Sequence, residues 1–237
     1  RWYSIHCGMP SFLKSAVVLI LLAQTAAAEA QATGPWSVRG GANYTWYSDP
    51  LGPGHGPHTG HSASGVGGFA GLGYEYPREG DWGVALEMDV ALRNAGYEFD
   101  ETSYPASFLA DGSDRGRRTM RSALVEFPAL LVYRGWAGLR VEAGPYVSRL
   151  LHAVDVRSGT RWSNGNEMDL HEQVDRTGDL APWEFGGVLG VLVEGPNSVC
   201  MHLRYVAGFT DLDRAIGSSP SSTSQVQIAL AVALPAR

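Results

Sequence analysis

Residues 83–93 read GVALEMDVALR. Val84, Leu86, Met88, Val90 and Leu92 share one parity, and Glu87, Asp89 and Arg93 share the other. Successive side chains of a strand point to opposite faces, so strict alternation predicts a strand. A soluble sheet turns its apolar parity to a core. A membrane barrel turns it to lipid and keeps the polar parity for the lumen. Seven further segments alternate in the same way, near 36–48, 63–76, 119–134, 138–152, 182–194, 198–210 and 223–235. No sustained i, i+3, i+4 stripe competes with them.

The polar parity decides between the two arrangements. It carries glycine and charge: Arg39, Gly71, Gly73, Glu75, Glu87, Asp89, Arg93, Glu126, Arg140, Glu142, Tyr146, Glu184, His202 and Arg204. Glycine packs nothing and unpaired buried charge is costly, so these residues do not make a dry core. They suit a narrow polar lumen, where small residues let long charged chains cross a tight barrel. Arg39, Glu75, Glu87, Asp89, Glu126, Arg140, Glu142, Tyr146, Glu184, His202 and Arg204 are the candidate lumenal network. Connector lengths point the same way. Segments 77–81, 134–137 and 195–198 are short, whereas 49–62, 98–118, 153–181 and 211–222 are long and polar. Short turns at one end and long loops at the other are the pattern of outer-membrane barrels. Aromatics of the apolar parity gather near strand ends, with Tyr74, Tyr76, Trp82 and Tyr133 on the turn side and Trp46, Trp183 and Phe209 on the loop side. Such residues form interfacial girdles. The expected fold is all-β, an eight-stranded antiparallel up-and-down transmembrane β-barrel with both termini at the short-turn end.

From Met9 the chain reads MPSFLKSAVVLILLAQTAAAEAQA, with Lys14 ahead of a short apolar run and A-x-A choices ending at Ala28, Ala30 or Ala32. This is the pattern of a cleaved secretory signal, and the run is too short to span a bilayer as a helix. Residues 1–32 are therefore read as signal peptide, with Met9 as the natural start, and 33–237 as the barrel domain. Lys14 is the only lysine, and beyond the signal 16 arginines face 23 acids. That acidic balance argues against a nucleic-acid partner. With Cys7 inside the signal, Cys200 stands alone and no disulfide framework is implied.

VRGGANYT (38–45), GFAGLGYEYP (68–77), LVEFPALLVYR (124–134), LRVEAGPYVSRLL (139–151), EFGGVLGVLVE (184–194) and LRYVAGFTDL (203–212) occur in order. This ordered set resembles the PorT-type outer-membrane β-barrel family of Bacteroidetes-like bacteria, over nearly the whole chain after the signal. The resemblance implies an eight-stranded barrel in the outer membrane of a Gram-negative cell. Most members have no assigned activity, and the namesake branch is associated with protein secretion to the cell surface.

Chemistry-bearing motifs are sparse. His55, His58 and His61 in GHGPHTGH have spacing that a metal could use, but a mobile glycine-rich loop offers them no fixed geometry. Glu87, Asp89 and Glu126 suggest paired carboxylates but read as an ion-pair plug, which leaves His202 beside Arg204 as the candidate for acid–base chemistry. It faces a plugged lumen that a lipid substrate does not enter. No catalytic residue and no cofactor are assigned, and the protein is read as a non-enzyme. Counted from the short turns, Glu87 falls opposite Gly71, Asp89 opposite Phe69, Glu126 opposite Tyr146 and Arg204 opposite Val188. That register makes Arg204 the hub for Glu87, Asp89 and Glu126, since a guanidinium fork can bind two carboxylates. The expected role is a structural, binding or secretion-accessory barrel. It would contact outer-membrane lipid and, through the long loops (153–181 above all), a surface or secretion-machinery protein. A small pore or transporter component is the alternative, followed by a lipid-modifying enzyme or a soluble lipocalin-like carrier.

Overall fold

A computed structural model describes residues 33–47, 63–76, 80–103, 112–136, 138–163, 166–195, 198–210 and 222–235. The alternating segments form strands β1 (Thr33–Tyr47), β2 (Ser64–Tyr76), β3 (Trp82–Ser103), β4 (Gly112–Trp136) and β5 (Leu139–Ser163). They continue as β6 (Asn166–Asp175), β7 (Trp183–Glu194), β8 (Val199–Gly208) and β9 (Thr223–Pro235). All pairings are antiparallel, and the sheet runs β4-β3-β2-β1-β9-β8-β7-β5-β6 with β4 also paired to β5. The strands thus close into a ring through β1, β2, β3, β4, β5, β7, β8 and β9. β6 pairs with the distal part of β5 alone among the described strands. Closure leaves the paired part of the ring no sheet edge. Thr33 pairs with Pro235 and Trp36 with Tyr74, so both ends of the described chain lie at the short-turn end.

The alternation is realised with its apolar parity outward. Leu86, Val90 and Leu92 are 55%, 52% and 56% exposed, while Asp89 and Arg93 on the other parity are 1% and 2% exposed. That arrangement removes the lipocalin-like reading, which needs the apolar parity to line a cavity. Small apolar layers separate the lumenal charges. Phe69, Ala91 and Ala229 form one. Leu130, Val132, Tyr146 and Val188 line one wall. Tyr47, Met120, Ala153 and Leu180 close the loop end. On β5 the register jumps from Leu124↔Leu150 to Ala123↔His152, a bulge of one residue. One extra residue exchanges the faces. Below it Glu142, Tyr146 and Ser148 are buried, and above it Ala153 and Asp155 are. The bulge brings Asp155 to Arg118, whose Nε lies 2.7 Å from its Oδ2.

Three expectations change. Among the described residues there are nine strands rather than eight, and the extra one lies in the segment read as the longest loop. β3 and β4 stay paired out to Ser103↔Gly112, and β4 and β5 out to Gly112↔Ser163. Much of 98–118 and 153–181 is therefore a projecting four-stranded sheet, β3-β4-β5-β6. Its composition is polar because both faces lie past the apolar band, yet backbone ladders need no apolar side chains. Arg161 pins it, with Nη2 2.8 Å from Asp114 Oδ2 and Nη1 3.3 Å from Glu172 Oε1. This guanidinium holds the Asp114 carboxyl below its ordinary pKa. Finally, each short-turn hairpin is offset by two residues, giving Gly71↔Asp89, Gly73↔Glu87, Glu126↔Ser148 and Gly190↔Arg204. The signal segment 1–32 and His55, His58 and His61 lie outside the described residues.

Candidate functional site in the lumen

Below the Arg118–Asp155 pair, the inward parity stacks arginines and carboxylates in three storeys. At the short-turn mouth, Arg140 bridges Glu75, at 2.9 Å from Nη1, and Glu194, while Arg134 also holds Glu75. These four side chains are partly exposed.

The second storey is buried. Arg204 sends Nη1 and Nη2 to the Glu87 carboxylate at 2.7 and 2.8 Å, and binds Glu142 through Nη2 at 3.0 Å and through Nε. Arg39 donates from Nε to Asp89 Oδ1 at 2.7 Å and pairs with Glu87. His202 Nδ1 lies 3.1 Å from Arg204 Nη2 and 3.6 Å from Glu142 Oε1.

The third storey centres on Arg93. Its Nη2 is 2.7 Å from Glu126 Oε1 and its Nη1 2.6 Å from Glu184 Oε2. Ser148 Oγ donates to Glu184 at 3.1 Å, and Thr223 Oγ1 donates to its other oxygen. Tyr146 stands in the apolar wall, and its hydroxyl makes no hydrogen bond among the described residues.

Five buried carboxylates (Glu87, Asp89, Glu126, Glu142 and Glu184) thus share three buried guanidiniums, all between 1% and 6% exposed in their side chains. Each arginine must serve two acids, which the planar fork permits and an ammonium would not. The hub expectation changes accordingly. Arg204 takes Glu87 and Glu142, Asp89 goes to Arg39, and Glu126 goes to Arg93. Arg93 lay on the polar parity but outside the candidate network. The signal that could have found it is its spacing, two strand repeats past Asp89 on the same face.

Glycines make room for these chains. A Cβ on Gly190 would fall 2.8 Å from both Arg204 Cγ and Glu142 Oε1, and one on Gly71 would fall 2.1 Å from Asp89 Oδ1. Gly190→Val should therefore destabilise the barrel by about 1–3 kcal/mol, the cost of overpacking. Gly187→Ala, whose added carbon meets only ordinary contacts on the outer face, should stay within about 0.5 kcal/mol. Urea unfolding of the two variants side by side measures the difference.

Aromatics band the outer face at both ends. Trp36 packs on Tyr74 at 4.8 Å and Trp82 on Tyr133 at 4.7 Å near the short turns, where Tyr76 is exposed. Trp46 stands between Tyr44 and Tyr205 at 6.0 and 6.1 Å near the loops, where Trp183 and Phe209 are exposed. Trp36, Tyr44 and Tyr205 extend the set named from the sequence. Among the described residues no three His, Cys, Asp or Glu side chains are placed to hold a metal ion, and no helix is long and apolar enough to cross a membrane.

An up-and-down antiparallel sheet closed on itself, apolar and aromatic outside and charged within, defines a β-barrel of the outer-membrane class. The chain belongs to the outer membrane protein beta-barrel domain family, whose model matches residues 23–214. It is a protein of the outer membrane. No curated protein matches it. Among solved structures it is similar to Ail, the attachment invasion locus protein of Yersinia pestis, in complex with the heparin analogue sucrose octasulfate. The identity is 13% over 83% of this chain and 95% of that one, with a TM-score of 0.42. Neisserial surface protein A matches at 13% identity over 86% of this chain and 100% of that one, with a TM-score of 0.42. OprG from Pseudomonas aeruginosa matches at 14% over 86% and 98%, with a TM-score of 0.33.

Proposed function

We propose that this is a closed, non-catalytic barrel that spans the membrane with its eight-strand circuit and binds a protein partner at its loop end. The short turns then face the periplasm, and the β3-β4-β5-β6 sheet stands outside the cell. The observation that carries this reading is β6, a ten-residue strand beyond the ring with one neighbour among the described strands. An unmatched edge offers a row of backbone donors and acceptors to another strand. β6 carries Glu167, Asp169, Glu172 and Asp175 and no lysine or arginine. A second copy of β6 would set acid against acid, so the partner is an extended segment bearing Lys or Arg. The resemblance of the strand motifs to the PorT-type branch makes a component or passenger of surface secretion the first class to try. The filled storeys of the lumen support a closed barrel, and the contact of Arg204 with Nδ1 of His202 supports a structural role for that imidazole.

A labelled peptide alternating Lys with Val or Thr tests the edge on intact cells. It should bind the wild-type protein and lose about tenfold or more in affinity when Glu167 and Asp169 are both changed to Lys, since juxtaposed like charges cost several kcal/mol. N-methylation of alternate residues in the peptide should also abolish binding. Equal binding by the methylated peptide would reduce the contact to unspecific charge attraction. Conductance steps in a planar bilayer would replace this reading with a pore.

A further inference from the structure

We propose that the chamber at the short-turn end of the lumen binds a small neutral polyol, of about monosaccharide size. The chamber has a volume of about 300 Å³ and lies between two ion-pair storeys, Glu75–Arg140–Glu194 at the mouth and Glu87–Arg204–Glu142 at the floor. That is room for about ten water molecules, or for one compact solute at the lower end of ligand-pocket sizes. Gly73 keeps one wall open, since a Cβ there would stand 2.7 Å from Ser37 Oγ.

Hydrogen bonding selects the ligand's chemistry. His202 is 5% exposed and lines the chamber. Its Nδ1 faces a guanidinium nitrogen of Arg204 at 3.1 Å. A guanidinium only donates, so Nδ1 accepts and the imidazole proton sits on Nε2. Among the described residues that Nε2 has no hydrogen-bond partner, and neither has Nε of Arg140, which also lines the chamber. Two buried N–H donors left without acceptors are costly, so the occupant must supply acceptor atoms.

Charge narrows the class. A free anion would meet the carboxylates of Glu75, Glu87, Glu142 and Glu194 in the lining. A cation would offer nothing to the two waiting N–H groups. Those four acids are already matched by Arg39, Arg134, Arg140 and Arg204, so the chamber asks for no net charge. A hydroxyl accepts from an N–H and donates to a carboxylate at once. Ala85, Val132 and Leu192 supply apolar wall for the carbon skeleton. This site is at the opposite end from β6 and stands independently of partner binding there.

Cys200 lines the same chamber and reports its occupancy. The full chain, refolded in a phosphocholine detergent that carries no sugar, is alkylated with iodoacetamide, and the Cys200 peptide is followed by mass spectrometry. D-Glucose should slow alkylation saturably. Acetate, methylammonium and maltotriose, the last too large for the chamber, should not. His202→Leu should weaken the protection about tenfold, the loss of one hydrogen bond, and His202→Gln should restore most of it. Glucose and maltotriose on the wild-type protein decide the matter even if a variant does not fold. No slowing by glucose would mean that the chamber holds water only, equal slowing by acetate or maltotriose that it does not select a compact polyol, and a Cys200 that never reacts that it admits no solute; each would overturn the proposal.

Discussion

Replacing Arg204 by leucine should lower the unfolding free energy of the barrel by about 3–5 kcal/mol, the range seen when one partner of a buried ion pair is removed. The effect belongs at the top of that range because one guanidinium serves two carboxylates. Without it, Glu142 loses its guanidinium partner, and Glu87 keeps only its share of Arg39. Arg204→Lys should recover part of the loss, since a point-like ammonium cannot bridge both acids in the fork geometry. Arg204→Leu combined with Glu87→Gln and Glu142→Gln should recover more, because a neutral lumen has no orphaned charge to desolvate. Urea unfolding from bilayers is the measurement. A loss under about 1 kcal/mol, as for an exposed surface pair, would mean that this storey is solvated and the lumen open.

Arg93→Leu should cost a similar amount, about 3–5 kcal/mol, with a different pattern of rescue. Its two acids are unequally supported. Glu184 keeps the hydroxyls of Ser148 and Thr223 when the guanidinium goes. Glu126 keeps only long contacts to the Gln225 and Gln227 amides, at 3.5 and 3.4 Å, and its register partner on β3 is another acid, Asp89. Adding Glu126→Gln to Arg93→Leu should therefore restore more stability than adding Glu184→Gln. Equal rescue by the two would show that hydroxyl donors contribute nothing to holding Glu184 charged.

Both expectations depend on partners that the strand sequences do not name. The chain places Glu87, Asp89, Glu126 and Arg204 on the inward parity, and they are inside. Pairing them required the register of each hairpin, and counting from the turns missed it by two residues. A two-residue offset preserves every face and changes every opposite neighbour, because the side-chain period of a strand is two. The partners of Arg93 are no easier to read, since one acid stands on the neighbouring strand β4 and the other comes from β7 across the ring. β6 escaped notice on other grounds. Segment 166–175 is polar throughout, and a strand stabilised by its backbone ladder beyond the membrane band shows no apolar rhythm to read.

The one-residue bulge on β5 marks the same boundary. Nothing in RLLHAVDV (149–156) announces that the face exchanges there, yet the exchange buries Asp155 against Arg118. What the sequence alone determined is the set of strands in the ring and which side of each faces in, since alternation is local and each residue's face follows from its neighbours. The tertiary structure decided which carboxylate meets which guanidinium, where a chamber is left between storeys, and that a further strand prolongs the sheet. These depend on the stagger at which the strands close, a sum over many backbone hydrogen bonds that no single segment contains.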